Sequence, residues 1–318
     1  MAKTALINGI SGQDGSLMAH HLLSNDYNVI GISRDATLNS FSNLIALNIK
    51  KDVELISSFM LDPKDVQKII RQYKPNEIYN LGGQSSVSKS YQNPIDTMIS
   101  HCQPNLNILE CLRHHFSNVR YYNACSGECF GDTAIDGADE NTPFNPKSPY
   151  GVAKAAAYFH TSNYRDAYDL FVSSGILFNH ESHLRGDHFV TKKICLEAKK
   201  IAEGTSKKLV LGDLSIQRDW GWAPQYIEAM WLMLQNDTPG DYVIASGISY
   251  SLEEFVKLVF DYYGLEWSKY VHQSDQFIRP SEIQSNFGLP EKAKNVLNWS
   301  PKYQLKDIVR MMIENKLY

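Results

Sequence analysis

Short apolar runs alternate with amphipathic stretches along the first half of the chain. The apolar runs predict strands over residues 4–10, 28–32, 77–81, 120–124 and 171–178. Between them, apolar residues recur at helical spacing over residues 15–24, 63–73, 94–115 and 150–168. This alternation predicts an α/β fold, a Rossmann-type doubly wound parallel sheet with helices on both faces.

The pattern loosens after Asn179. Helices are predicted over residues 191–203, 223–235, 251–263 and 307–315, and a buried strand over 241–245. We therefore expect a Rossmann domain of residues 1–178 with about 221–247, and a smaller, mostly C-terminal lobe of residues 179–220 and 248–318.

Composition limits the class of partner. The 318 residues carry 31 Lys and Arg against 35 Asp and Glu, a net charge of −4, without a long basic run. This charge disfavours nucleic-acid and anionic-membrane binding and favours small-molecule partners. The first apolar run is too short for a signal peptide or membrane span, so a cytoplasmic protein is expected. Five cysteines without a CxxC pair predict reduced, mostly buried thiols and no metal site.

Three glycines follow the first strand with the spacing GxxGxxG. Gly9, Gly12 and Gly15 let the backbone turn tightly and present helix N-terminal amides to a pyrophosphate. A second turn, Gly82-Gly83, follows another strand. Together they predict dinucleotide binding of the short-chain dehydrogenase type.

The end of the second strand bears on the choice of dinucleotide. An acidic residue there accepts hydrogen bonds from a ribose 2′-OH, whereas an arginine meets a 2′-phosphate. Arg34 follows the small Ser33 and predicts NADP. NAD is the alternative, because the adjacent Asp35 either repels a phosphate or pairs with Arg34.

Tyr150 and Lys154 lie one helical turn apart in the predicted fourth helix. We expect the ammonium to lower the pKa of the phenol, so that Tyr150 can remove a hydroxyl proton while hydride leaves the same carbon. Ser126, after the strand over 120–124, is placed to polarise the same oxygen.

Glu128 lies two residues beyond Ser126, outside the carboxyl end of a strand. Simple hydride transfer does not need a carboxylate there. Elimination of water beside a new ketone does, because one group must take the acidified proton and one must protonate the departing hydroxyl. Glu128 therefore predicts elimination.

These residues together resemble the extended short-chain dehydrogenase/reductase family, and within it the GDP-mannose 4,6-dehydratases. The resemblance runs nearly end to end and is carried by GISGQDG (9–15), EIYNLGGQSSV (77–87), SPYGVAK (148–154), GILFNHES (175–182), FVTKK (189–193), RDWG (218–221) and EAMWLMLQN (228–236).

The resemblance implies an NADP-dependent nucleotide-sugar 4,6-dehydratase, a lyase that acts on a GDP-hexose, with GDP-mannose as the expected substrate. Tyr150 takes the 4-hydroxyl proton as hydride passes to the cofactor, Glu128 promotes loss of water across C5 and C6, and hydride returns to C6. A homo-oligomer, either a dimer or a tetramer, is also implied.

Family positions can be transferred to this chain one by one. The catalytic set is Ser126, Glu128, Tyr150 and Lys154. The implied cofactor-binding set is Gly9, Gly12, Gln13, Asp14, Gly15, Arg34, Asp62, Leu81, Gly82, Gly83, Gln84, Ser85, Tyr150, Lys154, His180 and Arg185. The implied substrate-binding set is Ser86, Asn179, Val190, Lys193, Gly212, Arg218, Arg279 and Glu282, which includes arginines suited to phosphate oxygens.

Four departures from the family pattern stand out. Ser126-Gly127 replaces the usual Thr-Ser before Glu128, which preserves the hydroxyl and adds backbone freedom. Phe59 stands where an Asp engages the adenine, and Asp35 replaces a second arginine. The turn that commonly reads Pro-Arg-Arg here begins with His183, which we interpret as a solvated loop residue.

Other functions stay open at this point. They are a GDP-heptose 4,6-dehydratase, a GDP-sugar 4-dehydrogenase, epimerase or 4-keto reductase, and a non-catalytic nucleotide sensor. The retained Tyr150, Lys154 and Glu128 argue against the sensor.

Overall fold

The predicted alternation of strands and helices is realised around one parallel sheet. The computed structural model describes residues 2–133, 136–277 and 279–317. Its strands are β1 (Thr4–Asn8), β2 (Asn28–Ser33), β3 (Val53–Ser57), β4 (Glu77–Asn80), β5 (Arg120–Ser126), β6 (Val172–Leu177), β7 (Asn179–Glu181), β8 (Leu209–Leu211), β9 (Gln217–Arg218), β10 (Trp220–Trp222), β11 (Asp241–Ile244), β12 (Tyr250–Ser251), β13 (Val271–Gln273) and β14 (Ser285–Asn286).

The helices cover most of the stretches predicted from helical spacing. They are α1 (Gln13–Leu23), α2 (Ser42–Ala46), α3 (Pro63–Tyr73), α4 (Val87–Gln92), α5 (Pro94–His115), α6 (Pro149–Tyr168), α7 (Val190–Ala202), α8 (Ala223–Gln235), α9 (Leu252–Tyr262), α10 (Glu291–Leu297) and α11 (Leu305–Ile313). The predicted bounds of α3, α5 and α8 are confirmed, and the predicted strand over 241–245 is β11.

Seven strands form the main sheet in the order β11-β6-β5-β4-β1-β2-β3, and every neighbouring pair is parallel. The chain leaves β1 towards β2 on one side and later places β4 on the other. The carboxyl ends of β1 and β4 therefore flank the point where the strand order reverses, which is where α/β sheets bind ligands.

Alternate residues of the strands feed two apolar layers. Ala5 and Ile7 of β1 pack with Leu17 of α1 and Met230 of α8 on one face. Leu6, between them, packs on the other face in a cluster with residues of α3 and α5. Because both faces are covered, the central strands are buried throughout, as expected for a parallel sheet.

A further cluster lies outside the main sheet. Helices α7, α9 and α11 bury apolar side chains against Trp220 and Trp222 of β10. Small sheets accompany them: β7 with β10, β9 with β12 and β14, and β8 with β13. The chain enters this part of the fold at the carboxyl end of β6, since β7 begins two residues after Leu177.

Besides the short strands of the small sheets, one strand of the main sheet and three helices escaped the sequence pattern: β3, α2, α4 and α10. Glu54 and Ser57 interrupt the apolar run of β3, which is an edge strand with only Val53 fully buried. The three helices have five to seven residues, too short for helical periodicity to show.

Two expectations about chemistry were tested by the fold. The five cysteines lie within the described residues and carry free thiols, of which all but the half-buried Cys102 are buried. Among residues 2–133, 136–277 and 279–317, we find no helix with the length and apolar character needed to cross a bilayer.

Candidate active site

Three strand ends gather the predicted site residues at one edge of the sheet. The Gly9 turn follows β1, the Gly82-Gly83 turn follows β4, and Ser126 closes β5. Since β4 pairs with both β1 and β5, these segments are neighbours. Helix α6, which carries Tyr150 and Lys154, packs against β5.

The glycine turn has the shape that close approach to a phosphate requires. Gly9 adopts φ +91°, and a Cβ there would lie 2.7 Å from the Gly82 nitrogen, so the two turns pack backbone to backbone. At Gly12, an added Cβ would meet only the Gly9 carbonyl oxygen, at 3.5 Å. The space above the N-terminus of α1 is thus a cradle that a side chain would partly fill, and it fits a dinucleotide pyrophosphate.

Two polar side chains of this turn are tied to β7. His180 Nε2 lies 3.0 Å from Asp14 Oδ2, and His180 Nδ1 lies 2.7 Å from the Phe178 carbonyl oxygen. Gln13 Nε2 donates to the His180 carbonyl, and Ser182 Oγ donates to Gln13 Oε1. Both ring nitrogens of His180 thus have partners within the chain, and the side chain connects β7 to the start of α1.

The charges of this pair stabilise each other. Burial by itself would raise the pKa of Asp14, but the positive charge and the hydrogen bond of His180 outweigh this effect, so the pKa is lowered. Burial would lower the pKa of His180, but Asp14 outweighs it and the pKa is raised. The ionised pair is therefore the favoured state at the start of α1.

The adenosine end is much more open. Arg34 is exposed, Phe59 is 60% exposed, and Asp62 accepts a hydrogen bond from the Lys64 nitrogen as the N-cap of α3. Among the described residues, Asp35 forms no ion pair with Arg34, and its repulsion of a 2′-phosphate stays a prediction. Its Oδ1 accepts hydrogen bonds from Thr37 N, Thr37 Oγ1 and Leu38 N, because an Asp can close a turn on the next residues.

Arg185 is also engaged within the chain. Its guanidinium pairs with Glu181 at 3.3 Å and lies 3.7 Å from the ring centroid of Phe189. The predicted cofactor contact of this loop, Arg185, is thus already held by one carboxylate and one aromatic ring.

The reacting centre is formed by β5 and α6. Ser148 caps α6 by accepting from the Gly151 nitrogen, and Pro149 occupies the first turn, so the helix begins immediately before Tyr150. The Lys154 ammonium is buried, donates to the Ala124 carbonyl at 2.8 Å and lies 5.8 Å from the Tyr150 ring centroid. The expected proximity of the two groups is confirmed.

The expected pKa of Tyr150 is wrong for the chain by itself. Burial raises the pKa of the phenol, and the hydrogen bond with Ser126 opposes that rise only in part. Lys154 directs its ammonium at Ala124, and burial lowers the pKa of this lysine too. Desolvation therefore outweighs the charge effect on which the sequence argument relied.

Glu128 lies in a short 3₁₀ turn directly after β5. Ser126 Oγ accepts from the Glu128 nitrogen at 3.2 Å and so begins the turn. Glu128 Oε1 lies 3.8 Å from Arg279 Nη1, whereas Oε2 is buried without a hydrogen-bond partner among the described residues. Burial raises the pKa of this carboxyl, although Arg279 and Arg218 oppose it. Such a carboxyl is suited to both donating and accepting a proton.

Predicted substrate residues surround Glu128 on one side. Arg218 Nη2 lies 3.0 Å from Glu282 Oε1, and Arg279 Nη1 lies 3.3 Å from the same oxygen. Two guanidiniums and two carboxylates thus form one network, which we call the Arg-Glu network: Glu128, Arg218, Arg279 and Glu282. The network can exchange a carboxylate for phosphate oxygens without leaving an arginine unpaired.

The other predicted substrate residues are more dispersed. Lys193 Nζ donates to the Val210 carbonyl and lies 4.4 Å from the ring centroid of Phe277, which also abuts Gly212. Val190 begins α7 and is partly exposed, and Asn179 begins β7. Ser86 caps α4 by accepting from the Lys89 nitrogen. Among the described residues, no hydrogen bond or ion pair joins this group to the Arg-Glu network.

Sequence reasoning missed one residue that shapes the site. Asn286 of β14 donates to the Gly127 carbonyl at 3.0 Å and to the Gly131 carbonyl at 2.8 Å, and so holds the turn that carries Glu128. Because Asn286 lies about 160 positions from that turn, no local pattern could reveal the contact.

Comparison with known proteins agrees with this geometry. A sequence model of the family described as GDP-mannose 4,6 dehydratase matches residues 6–312. The GDP-mannose 4,6 dehydratase 2 of Arabidopsis thaliana is 41% identical over 325 residues, which covers 99% of this chain and 87% of that protein.

Solved structures share the fold at lower identity. The dTDP-glucose 4,6-dehydratase of Bacillus anthracis, in complex with NAD, superimposes with a TM-score of 0.85 at 20% identity, covering 99% of this chain and 97% of the other. RMD from Pseudomonas aeruginosa, complexed with NADPH, gives 0.80 at 20% identity and the same coverage. Because the family model spans residues 6–312 and the Arabidopsis thaliana protein is 41% identical over 99% of this chain, the chain belongs to the GDP-mannose 4,6-dehydratase family.

Proposed function

We propose that this chain is a nucleotide-sugar 4,6-dehydratase that converts GDP-mannose to its 4-keto-6-deoxy derivative. The observation that carries this proposal is Glu128, whose Oε2 is buried without a partner beside Ser126 and Tyr150. A 4-dehydrogenase, epimerase or reductase has no use for a second proton-transfer group at this place. Family membership adds the same reaction and the guanosine nucleotide.

The roles of the residues follow from their positions. Tyr150 removes the proton of the sugar 4-hydroxyl, and Ser126 hydrogen-bonds the same oxygen and favours the phenolate. Glu128 then takes the proton from C5 and delivers one to the departing 6-hydroxyl. Its pKa, raised by burial, suits this double use, because the protonated form is easier to reach than in an exposed carboxyl.

We propose a nicotinamide dinucleotide as the cofactor, with NADP as the form. Residues 9–15 would hold its pyrophosphate, residues 81–85 would flank its nicotinamide, and Arg34 would face a 2′-phosphate. Such a cofactor would supply the hydride acceptor for C4 oxidation and the hydride donor for C6, so no external reductant would be consumed. The openness of Gly12 and the backbone packing of Gly9 against Gly82 support this fit.

The Arg-Glu network is the proposed diphosphate and nucleoside subsite. Arg218 and Arg279 would bind phosphate oxygens, while Glu282 would accept hydrogen bonds from ribose or guanine. Arg279 also lies 3.8 Å from Glu128, so the diphosphate would bind directly beside the carboxyl that acts in the elimination.

The test is mass spectrometry of purified protein incubated with GDP-mannose, and separately with a GDP-heptose, CDP-glucose and dTDP-glucose. We expect a product lighter by one water from GDP-mannose, with no added reductant and no net cofactor reduction. A product that has lost two hydrogens while reduced cofactor accumulates would overturn the dehydratase in favour of a dehydrogenase. Dehydration of GDP-heptose alone would retain the reaction and change the substrate.

We also propose that the chain works as a homo-oligomer, a dimer or a tetramer. Exposed apolar side chains on α5 and α6 support this: Ile95, Met98, Ile99, Val152 and Phe159. Light scattering coupled to size-exclusion chromatography should give the mass of two or four chains. The mass of a single chain would contradict the proposal.

The division into a Rossmann domain and a smaller nucleotide-sugar lobe likewise stays a proposal, which limited proteolysis would test.

A further inference from the structure

His101 is a buried titratable residue with no part in the reaction described above. It lies in the second turn of α5 and is 4% exposed. Its ring fills the space beneath Gly83, which adopts φ +128°, and a Cβ on Gly83 would collide with the ring. The ring therefore supports the turn after β4 from below.

Three side chains of one face of α5 hold the segment that follows this turn. Ser100 Oγ accepts from the Gln84 nitrogen at 3.2 Å, and His101 Nε2 lies 2.8 Å from the Gln84 carbonyl oxygen. Thr97 Oγ1 accepts from Gln84 Nε2. Residues at i, i+3 and i+4 share a helix face, so Gln84 is held through its amide, its carbonyl and its side chain.

The same histidine touches Tyr150. The two rings meet edge to face, with centroids 5.4 Å apart and planes at 78°. A carbonyl oxygen only accepts, so Nε2 must carry a proton. Burial lowers the pKa of His101 to about 3, and the nearby Lys154 charge acts in the same direction. The ring is thus neutral near pH 7 and contributes its shape and one N–H.

We propose that His101 is a positioning residue that fixes the Tyr150 phenol relative to residues 82–85. The imidazole ring contacts both parts of the site. It meets the Tyr150 ring edge to face, while Nε2 binds the Gln84 carbonyl and the ring packs under Gly83. This role rests on the proposed function, in which Tyr150 is the base and residues 81–85 flank the nicotinamide. His101 itself transfers no proton.

The test compares His101→Leu with His101→Gln, in which the amide nitrogen can take the place of Nε2 and still donate to Gln84. Leu109→Ala, in the apolar core of the same helix, is the control for lost stability. With GDP-mannose as substrate, we expect His101→Leu to lower kcat about 10–100-fold, as misplacement of reacting groups does. KM should stay within about 3-fold by the same reasoning, since the diphosphate subsite is untouched.

Two further readouts separate positioning from mere folding. Amide hydrogen exchange of a peptide covering residues 82–86 should accelerate in His101→Leu and return towards the wild-type rate in His101→Gln. The kinetic isotope effect with 4-deuterated GDP-mannose should rise in His101→Leu, because C4 oxidation becomes slower, and the pH profile should keep its shape. Leu109→Ala should change none of these at a temperature where it is folded.

Three results would overturn the proposal. They are an unchanged kcat and exchange rate in His101→Leu, an equal loss in Leu109→Ala, or the disappearance of a limb of the pH profile, which would make His101 a proton-transfer group. If the wild-type protein forms no dehydrated product, the proposed function fails instead, and hydrogen exchange still decides whether His101 holds the segment.

Discussion

The reacting centre and the adenosine end of the cleft are built in opposite ways. At the centre, Lys154 is buried and donates to a main-chain carbonyl, and Glu128 and Tyr150 both have pKa values raised by burial. At the adenosine end, Arg34 is exposed, and Asp35 has a pKa lowered by hydrogen bonds from its own turn. The first region holds its ionisable groups away from water, which disfavours their charged forms. The second region keeps its charged groups in contact with water.

The contrast separates chemistry from cofactor choice. Groups that exchange protons are held by buried contacts that persist whichever substrate enters, and their protonation states are set by desolvation. Groups that discriminate NADP from NAD act at the surface, where solvent and salt weaken each charge. Changes at the centre should therefore alter rate by orders of magnitude, and changes at the adenosine end should alter affinity modestly.

The largest effect should come from Tyr150→Phe. Removing the phenol oxygen removes the base for the 4-hydroxyl, so kcat should fall about 10³–10⁴-fold, the upper part of the range for general base catalysis. Single-turnover absorbance at 340 nm would follow the first oxidation. Tyr168→Phe, at the exposed end of the same helix, is the matched control and should retain full activity. Rapid oxidation by Tyr150→Phe would show that another group is the base.

Glu128→Gln should come next, with dehydration about 10²–10³-fold slower. The amide keeps the shape of the carboxyl but cannot take the C5 proton. Oxidation at C4 should survive, so mass spectrometry should find the 4-keto sugar that has lost two hydrogens and kept its water. Glu140→Gln changes another partly buried carboxylate, which accepts from the Val243 nitrogen outside the site, and should leave turnover unchanged. Undiminished dehydration in Glu128→Gln would remove the carboxylate from the mechanism.

The same contrast explains what the sequence could reveal. Ser126, Glu128, Tyr150 and Lys154 lie at a strand end and the start of the following helix, so spacing and the parallel-sheet rule were enough to place them together. Helix α3 was predictable because Asp62 and Pro63 mark its start and its apolar face is regular. In these segments the information is local.

Other features depend on contacts between distant segments. Nothing near Gly127 indicates that Asn286 holds its turn, and nothing near Tyr150 indicates His101. The pKa of Tyr150 was misjudged for a related reason, since burial depends on the whole fold. Asp35 is different: its turn with Thr37 and Leu38 is local, but the sequence analysis considered only repulsion of a phosphate and pairing with Arg34.

A smaller effect is expected from Arg34→Gln. Loss of one exposed charge should weaken NADP binding about 10-fold and leave NAD binding nearly unchanged, which is the scale of one hydrogen bond to a charged group. Titration calorimetry at low and high salt would measure both, and the difference should shrink as salt rises. Arg71→Gln removes an exposed charge from the end of α3 and serves as the control. Equal losses for NADP and NAD would mean that Arg34 does not read the 2′-phosphate.

The smallest effects, on thermal stability, test the contrast most directly because their signs differ. The pKa of Glu128 is raised in the fold, so its ionised form is disfavoured there. Glu128→Gln should therefore raise the Tm at pH 8, by about 1–2 °C for a modest gain in a chain of this size, and the gain should shrink as the pH falls through the raised pKa.

For Asp35 the pKa is lowered, so its ionised form contributes stability above the unfolded pKa and loses it as the pH falls through the folded value. Asp35→Asn should accordingly lower the Tm at pH 8 and have less effect in acid. Differential scanning calorimetry from pH 4 to 8 would measure both variants. If the two Tm shifts had the same sign at pH 8, the ionised carboxylates of the two regions would affect the stability of the fold in the same way. Burial could then not be what raises the pKa of Glu128.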